Sequence, residues 1–107
     1  MAEQPPRYSL IYAPEVLPRI RRWVARTTDP GQRAGLLDAL RAVDRNLKYD
    51  PVGWGDFQWN YRVISARECR GMIPHWFVVW YAVDVPARTV SIRDIRPAPG
   101  SPLERPS

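Results

Sequence analysis

His75 is the chain's only histidine, and it stands at the head of the apolar run Trp76 to Val83, one turn before the segment that carries Arg93 and Arg96. Brought together on neighbouring strands, these three would form a small basic site able to transfer a proton. The plainer reading of His75 is a structural residue at a strand start.

Lys48 and Arg62 are spaced to contact phosphate from a helix exit and from the strand that follows it, or to serve as solvated surface charges. Trp54, between Gly53 and Gly55, is the better candidate for stacking on a nucleic-acid base, because Phe57, Trp59 and Tyr61 alternate as core residues do. Arg19, Arg22 and Arg26 recur along one side of a helix, where they either receive an acidic segment of a partner protein or keep that helix soluble. Cys69 is a poor nucleophile, since the single histidine lies beyond a turn and no acidic residue is placed to orient it. The chain has too few ligand residues for a metal site, and no cofactor is expected.

The elements that must position these residues fit one domain: 107 residues, 45% of them apolar, support a single core. The net charge is +5, and of sixteen basic side chains only Lys48 is a lysine. Guanidinium groups match phosphate and carboxylate in a bidentate fork, so the bias suggests nucleic acid or an acidic protein as partner. A GC-rich genome would give the same bias. One cysteine allows no internal disulfide and fits a reducing cytosol. Residues Met1 to Pro6 lack the apolar stretch of a signal peptide, and Trp76 to Val83 is too short to span a bilayer as a helix. A cytoplasmic protein without a membrane partner is expected.

Arg7 to Tyr12 reads as a first strand, and Pro14 to about Thr27 as a helix, with Val16, Leu17, Ile20, Trp23 and Val24 at three- and four-residue spacing. Asp29-Pro30-Gly31-Gln32 is a helix start, with Asp29 as N-cap and Gln32 in capping-box position. The stripe Leu36, Leu40, Val43, Leu47 continues that helix to Tyr49-Asp50-Pro51, where the residue before proline is pushed out of helical geometry. Gly53-Trp54-Gly55 reads as a flexible corner, Phe57 to Val63 as a half-buried strand, and Arg67 to Gly71 as a polar connection. His75 to Val83 reads as a central strand covered on both faces, and Arg88 to Arg96 as the last strand. The sequence thus predicts an α+β domain over 7–96, strand, helical hairpin, then three strands, with the hairpin on a mostly antiparallel sheet. Residues 1–6 and 97–107 are expected to be flexible tails.

Three phrases, in this order, resemble the RelE/ParE superfamily of toxins from type II toxin–antitoxin pairs. They are Tyr8-Ser9-Leu10-Ile11-Tyr12-Ala13-Pro14-Glu15-Val16, then Leu47-Lys48-Tyr49-Asp50-Pro51 with its following glycines, and Val79-Trp80-Tyr81-Ala82-Val83-Asp84 with Arg88-Thr89-Val90-Ser91-Ile92 after the turn. The resemblance implies neutralisation by a cognate antitoxin and one of two activities. The RelE branch cleaves messenger RNA on the ribosome without a metal, using basic side chains to stabilise charge at the phosphate; the ParE branch poisons DNA gyrase. A third outcome is a degenerate binding module on the same fold. The RelE-type site includes an arginine on the strand before the "Y-x-V-D" phrase, and that position falls here within Phe77-Val78-Val79. Losing one charge-stabilising donor of this kind costs about 3–4 kcal/mol in rate terms.

Overall fold

Proline and aspartate placement fixes where the longest helix begins and ends. The computed structural model describes residues 7–60 and 66–104, with the backbone alone for residues 57–60. Helix α1 runs Val16–Arg26 and buries Val16 and Trp23. Helix α2 runs Pro30–Tyr49; the Asp29 carboxylate accepts from the Gln32 amide at 2.9 Å, satisfying one of the amide donors left free at the helix start. Leu36, Ala39 and Leu47 form its buried stripe. Asp50 then serves two helices. Its amide donates to the Asn46 carbonyl at 2.9 Å, ending α2, and its side chain accepts from the Gly53 amide at 3.2 Å, opening the one-turn helix α3, Pro51–Trp54. The expected flexible corner at Gly53 to Gly55 is therefore largely a capped turn.

Among the described residues, five strands follow the order β1-β5-β4-β3-β2. Strand β1 (Ser9–Tyr12) pairs in parallel with β5 (Thr89–Pro97), and β2 (Asp56–Asn60), β3 (Ala66–Ile73), β4 (Phe77–Asp84) and β5 form an antiparallel meander. The α+β arrangement of a helical hairpin on a mostly antiparallel sheet is as the sequence predicts. One strand is not: Arg67 to Gly71, expected as a polar connection, lies inside β3. The reason is Glu68, a carboxylate at a buried position that faces Arg93 at 3.7 Å. An acidic residue between two arginines hides the strand's alternation from a reading by polarity.

The helices cover one face of the sheet. Phe77 stacks on Trp23 at 6.0 Å between ring centroids, and Tyr81 stacks on Trp54 at 5.7 Å. Val79, Ile92 and Ile95 look into an apolar cavity of about 340 Å³ opening between α1 and α2. From Ala98 to Glu104 the chain stays attached, where the sequence reading has a tail from Pro97 onward; residues 105–107 lie outside the described residues. The Ala98 amide donates to the Trp76 carbonyl at 3.1 Å, and Leu103, in a short 3-10 turn at Pro102–Glu104, is buried in the core. One leucine and a few backbone bonds anchor a stretch whose composition alone shows no such anchor. No helix among the described residues is long and apolar enough to cross a membrane.

Candidate functional site

Strand alternation sends Val78, Trp80 and Ala82 to the sheet face turned away from the helices, because Phe77, Val79, Tyr81 and Val83 fill the other. The register then names what surrounds them. Trp80 lies between Arg70 on β3 and Asp94 on β5, Val78 between Met72 and Arg96, and Ala82 between Glu68 and Ser91. The pairing of β4 with β5 shifts between Trp80 and Tyr81, which skips Arg93 and leaves it at a bulge. Bulges re-aim side chains, and here Arg93 reaches across β4 to Glu68 on β3, Nε to Oε2 at 3.7 Å. The small Ala82 side chain lies between these two strands.

Arg96 is held over the same face. Its Nε donates to Asp94 Oδ2 at 2.8 Å, and its guanidinium carbon sits 5.9 Å from the centre of the Trp80 ring. Asp94 Oδ1 also accepts from Arg19 Nη1 at 2.6 Å and from the backbone amide of Ile95 at 2.9 Å. Partial burial pushes the Asp94 carboxyl up, but the hydrogen bonds from Arg19, Arg96 and Ile95 together outweigh it and hold the group below its ordinary value. It is therefore a fixed anion at neutral pH, and it orients two guanidinium groups. Arg70, Arg93 and Arg96 are exposed, and Trp80 is half-buried.

This face can do two things chemically. A guanidinium over an aromatic ring, with two further arginines on the same face, suits a phosphate backbone with a base stacked beside it. The same groups can stabilise charge gathering on a phosphate in transit, with Asp94 holding Arg96 and Glu68 facing Arg93.

Of the residues singled out by sequence, Arg93 and Arg96 share this face. His75 stands apart at the exposed tip of the β3–β4 turn, where the Trp76 amide donates to the Ile73 carbonyl at 3.0 Å and His75 takes φ 77°. The paired register ends at Phe77 and Pro97, so His75, in the turn, lies past the strand position of Arg96. Its ring meets Trp76 edge-on at 5.2 Å. Lys48 is on the helix side, 3.0 Å from Asp44, whose hydrogen bond holds the ammonium above its ordinary pKa. Trp54 is also on the helix side. It is packed on Tyr81 and over Gly71, where an added Cβ would collide with the indole. Arg62 lies outside the described residues. Arg19 is bound to Asp94, while Arg22 and Arg26 are exposed on α1.

Arg70, Trp80 and Asp94 are not evident as site residues from sequence. Arg70 falls in the stretch expected as a connection, and Trp80 merges into an apolar run that reads as covered on both faces. The signal for Trp80 is its register between two charged residues, which needs the pairing to be known.

No protein-family model matches the chain, and no curated protein matches it by sequence. A chain in the crystal structure of an archaeal RelE-RelB complex from Pyrococcus horikoshii OT3 is similar to it in structure. The TM-score is 0.62, covering 85% of this chain and 94% of that one, at 13% identity. The chain has a RelE-like α+β fold.

Proposed function

We propose that this protein is the toxin-side component of a cytoplasmic toxin–antitoxin pair and that it acts on RNA through the helix-free face of its sheet. The observation that carries the reading is the placing of Arg70, Arg93 and Arg96 on the same sheet face as Trp80, in a RelE-like fold. In a cleavage step these arginines would stabilise the negative charge that builds on the scissile phosphate, with Trp80 receiving the neighbouring base. Messenger RNA on the ribosome is the substrate that the resemblance implies. The antitoxin would approach from the helix side. Arg22 and Arg26 on α1 offer charge to an acidic segment, beside the apolar cavity between α1 and α2.

Binding of single-stranded RNA, measured by gel shift across a salt series, tests the face directly. An arginine that neutralises one phosphate adds about 0.7 to the salt slope, so Arg70→Ala and Arg96→Ala should each flatten it by that amount. Slopes identical to wild type would remove this face from RNA binding.

A second reading, a module that binds without cleaving, is favoured by one specific feature. Val78, buried beside Arg96, stands in the stretch where the resemblance calls for an arginine. Transcript cleavage separates the two, since only the first reading produces it.

A further inference from the structure

At the end of the sheet where β1 begins and β4 turns into β5, Arg7, Tyr8, Tyr49, Asp50 and Arg88 line a cavity of about 260 Å³. This is a different place from the arginines around Trp80. The Ser9 amide donates to the Arg88 carbonyl at 2.9 Å, so the starts of β1 and β5 are tied together. The amides of Arg7 and Tyr8 both donate to the Lys48 carbonyl at 3.0 Å, which fixes that segment against the end of α2. The Arg88 guanidinium carbon lies 6.0 Å from the centre of the Tyr8 ring. Asp50 contributes the only carboxylate among the lining residues, and it is engaged in capping Gly53.

Backbone conformation makes Arg88 unusual. It holds φ 56°, the left-handed region that a branched or long side chain enters at a cost and that glycine enters freely. A turn needing that conformation is served better by glycine or asparagine, yet it carries a guanidinium beside a tyrosine and near a second arginine.

We infer that this cavity is a nucleotide-binding site, in which Arg7 and Arg88 take the phosphate and Tyr8 and Tyr49 flank the base. Two guanidiniums match a phosphate dianion, the second tyrosine supplies a further aromatic wall, and the volume is of the order of one nucleotide unit. The site is independent of the RNA-cleaving reading above, because none of its residues belongs to the face around Trp80.

The test is titration of the full chain with adenosine 5′-monophosphate, guanosine 5′-monophosphate and inorganic phosphate, followed by calorimetry and by backbone amide shifts. Arg88→Gly is the informative variant, since glycine fits φ 56° and the fold should hold; its thermal midpoint is the control. A nucleotide should bind with shifts at Tyr8 and Arg88. The shifts at Tyr8 and at position 88 should require at least about tenfold more nucleotide in Arg88→Gly and in Arg7→Ala than in wild type. Three outcomes would overturn the site: no nucleotide binding, binding abolished only in Arg70→Ala/Arg96→Ala, or inorganic phosphate binding as tightly as the nucleotides.

Discussion

Arg19 on α1 donates from one guanidinium nitrogen both to Asp94 Oδ1, at 2.6 Å, and to the carbonyl of Ile95, at 2.7 Å. Strand β1 runs beside β5 only as far as the pair Tyr12–Ile92, so Asp94 and Ile95 sit on an edge that no strand among the described residues covers. Arg19 closes that edge. It also binds the carboxylate that orients Arg96, and so joins the first helix to the candidate RNA face.

Removing this link should cost stability in a pH-dependent way. The Asp94 carboxyl is held below its ordinary value in the folded chain, so its contribution is fully present above the unfolded carboxylate pKa of about 3.9 and fades as pH falls through the lower folded value. In urea unfolding at pH 7, Arg19→Ala and Asp94→Asn should each lose about 1–2 kcal/mol, a range suited to a charge-assisted bond that is partly exposed. The gap between wild type and Asp94→Asn should narrow at pH 3. A gap of equal size at both pH values would mean that the carboxylate's charge is not what stabilises this edge.

Gly71 and Trp54 should be energetically coupled. An alanine methyl at Gly71 would meet the Trp54 indole, which is packed on Tyr81, whose hydroxyl donates to the buried Pro51 carbonyl at 2.5 Å. Gly71→Ala should cost about 1–3 kcal/mol in wild type and clearly less in a Trp54→Leu background. Equal cost in both backgrounds would show that the indole is not the obstacle.

His75→Gly distinguishes a turn residue from a catalytic one. Pro74 and His75 occupy the middle of a turn closed by the Trp76 amide, and φ 77° at His75 favours glycine. The variant should gain up to about 1 kcal/mol, a rise of several degrees in thermal midpoint for a domain of this size. If His75 also supplied a proton in catalysis, the more stable variant would lose RNA cleavage, which transcript mapping would detect.

Helix α2 is legible in the sequence because both of its boundaries carry a local chemical mark. Asp29 and Pro30 start α2, and Asp50 with Pro51 ends it. Strand β4 is legible as an apolar run, but its two faces are not distinguishable, since Val78, Trp80 and Ala82 are as apolar as the core residues between them. The candidate site is legible only in part. Arg93 and Arg96 stand out as strand arginines, whereas Arg70 depends on a partner strand whose acidic residue, Glu68, gives it the look of a loop. His75 looks adjacent to them on a strand diagram. The turn that puts it in the left-handed region instead carries it past the end of the sheet. Arg19 has the look of a solvated residue because its partner, Asp94, lies 75 residues away in sequence.

The most direct measurement of the central claim is bacterial growth after induced expression of the lone chain, beside Arg70→Ala/Arg96→Ala, with transcript 5′ ends mapped in the same cultures. Growth arrest with transcript cleavage in wild type, relieved in the variant while the protein stays folded and soluble, is the expected result. Normal growth with intact transcripts and soluble wild-type protein, or cleavage that persists undiminished in the variant, would contradict it.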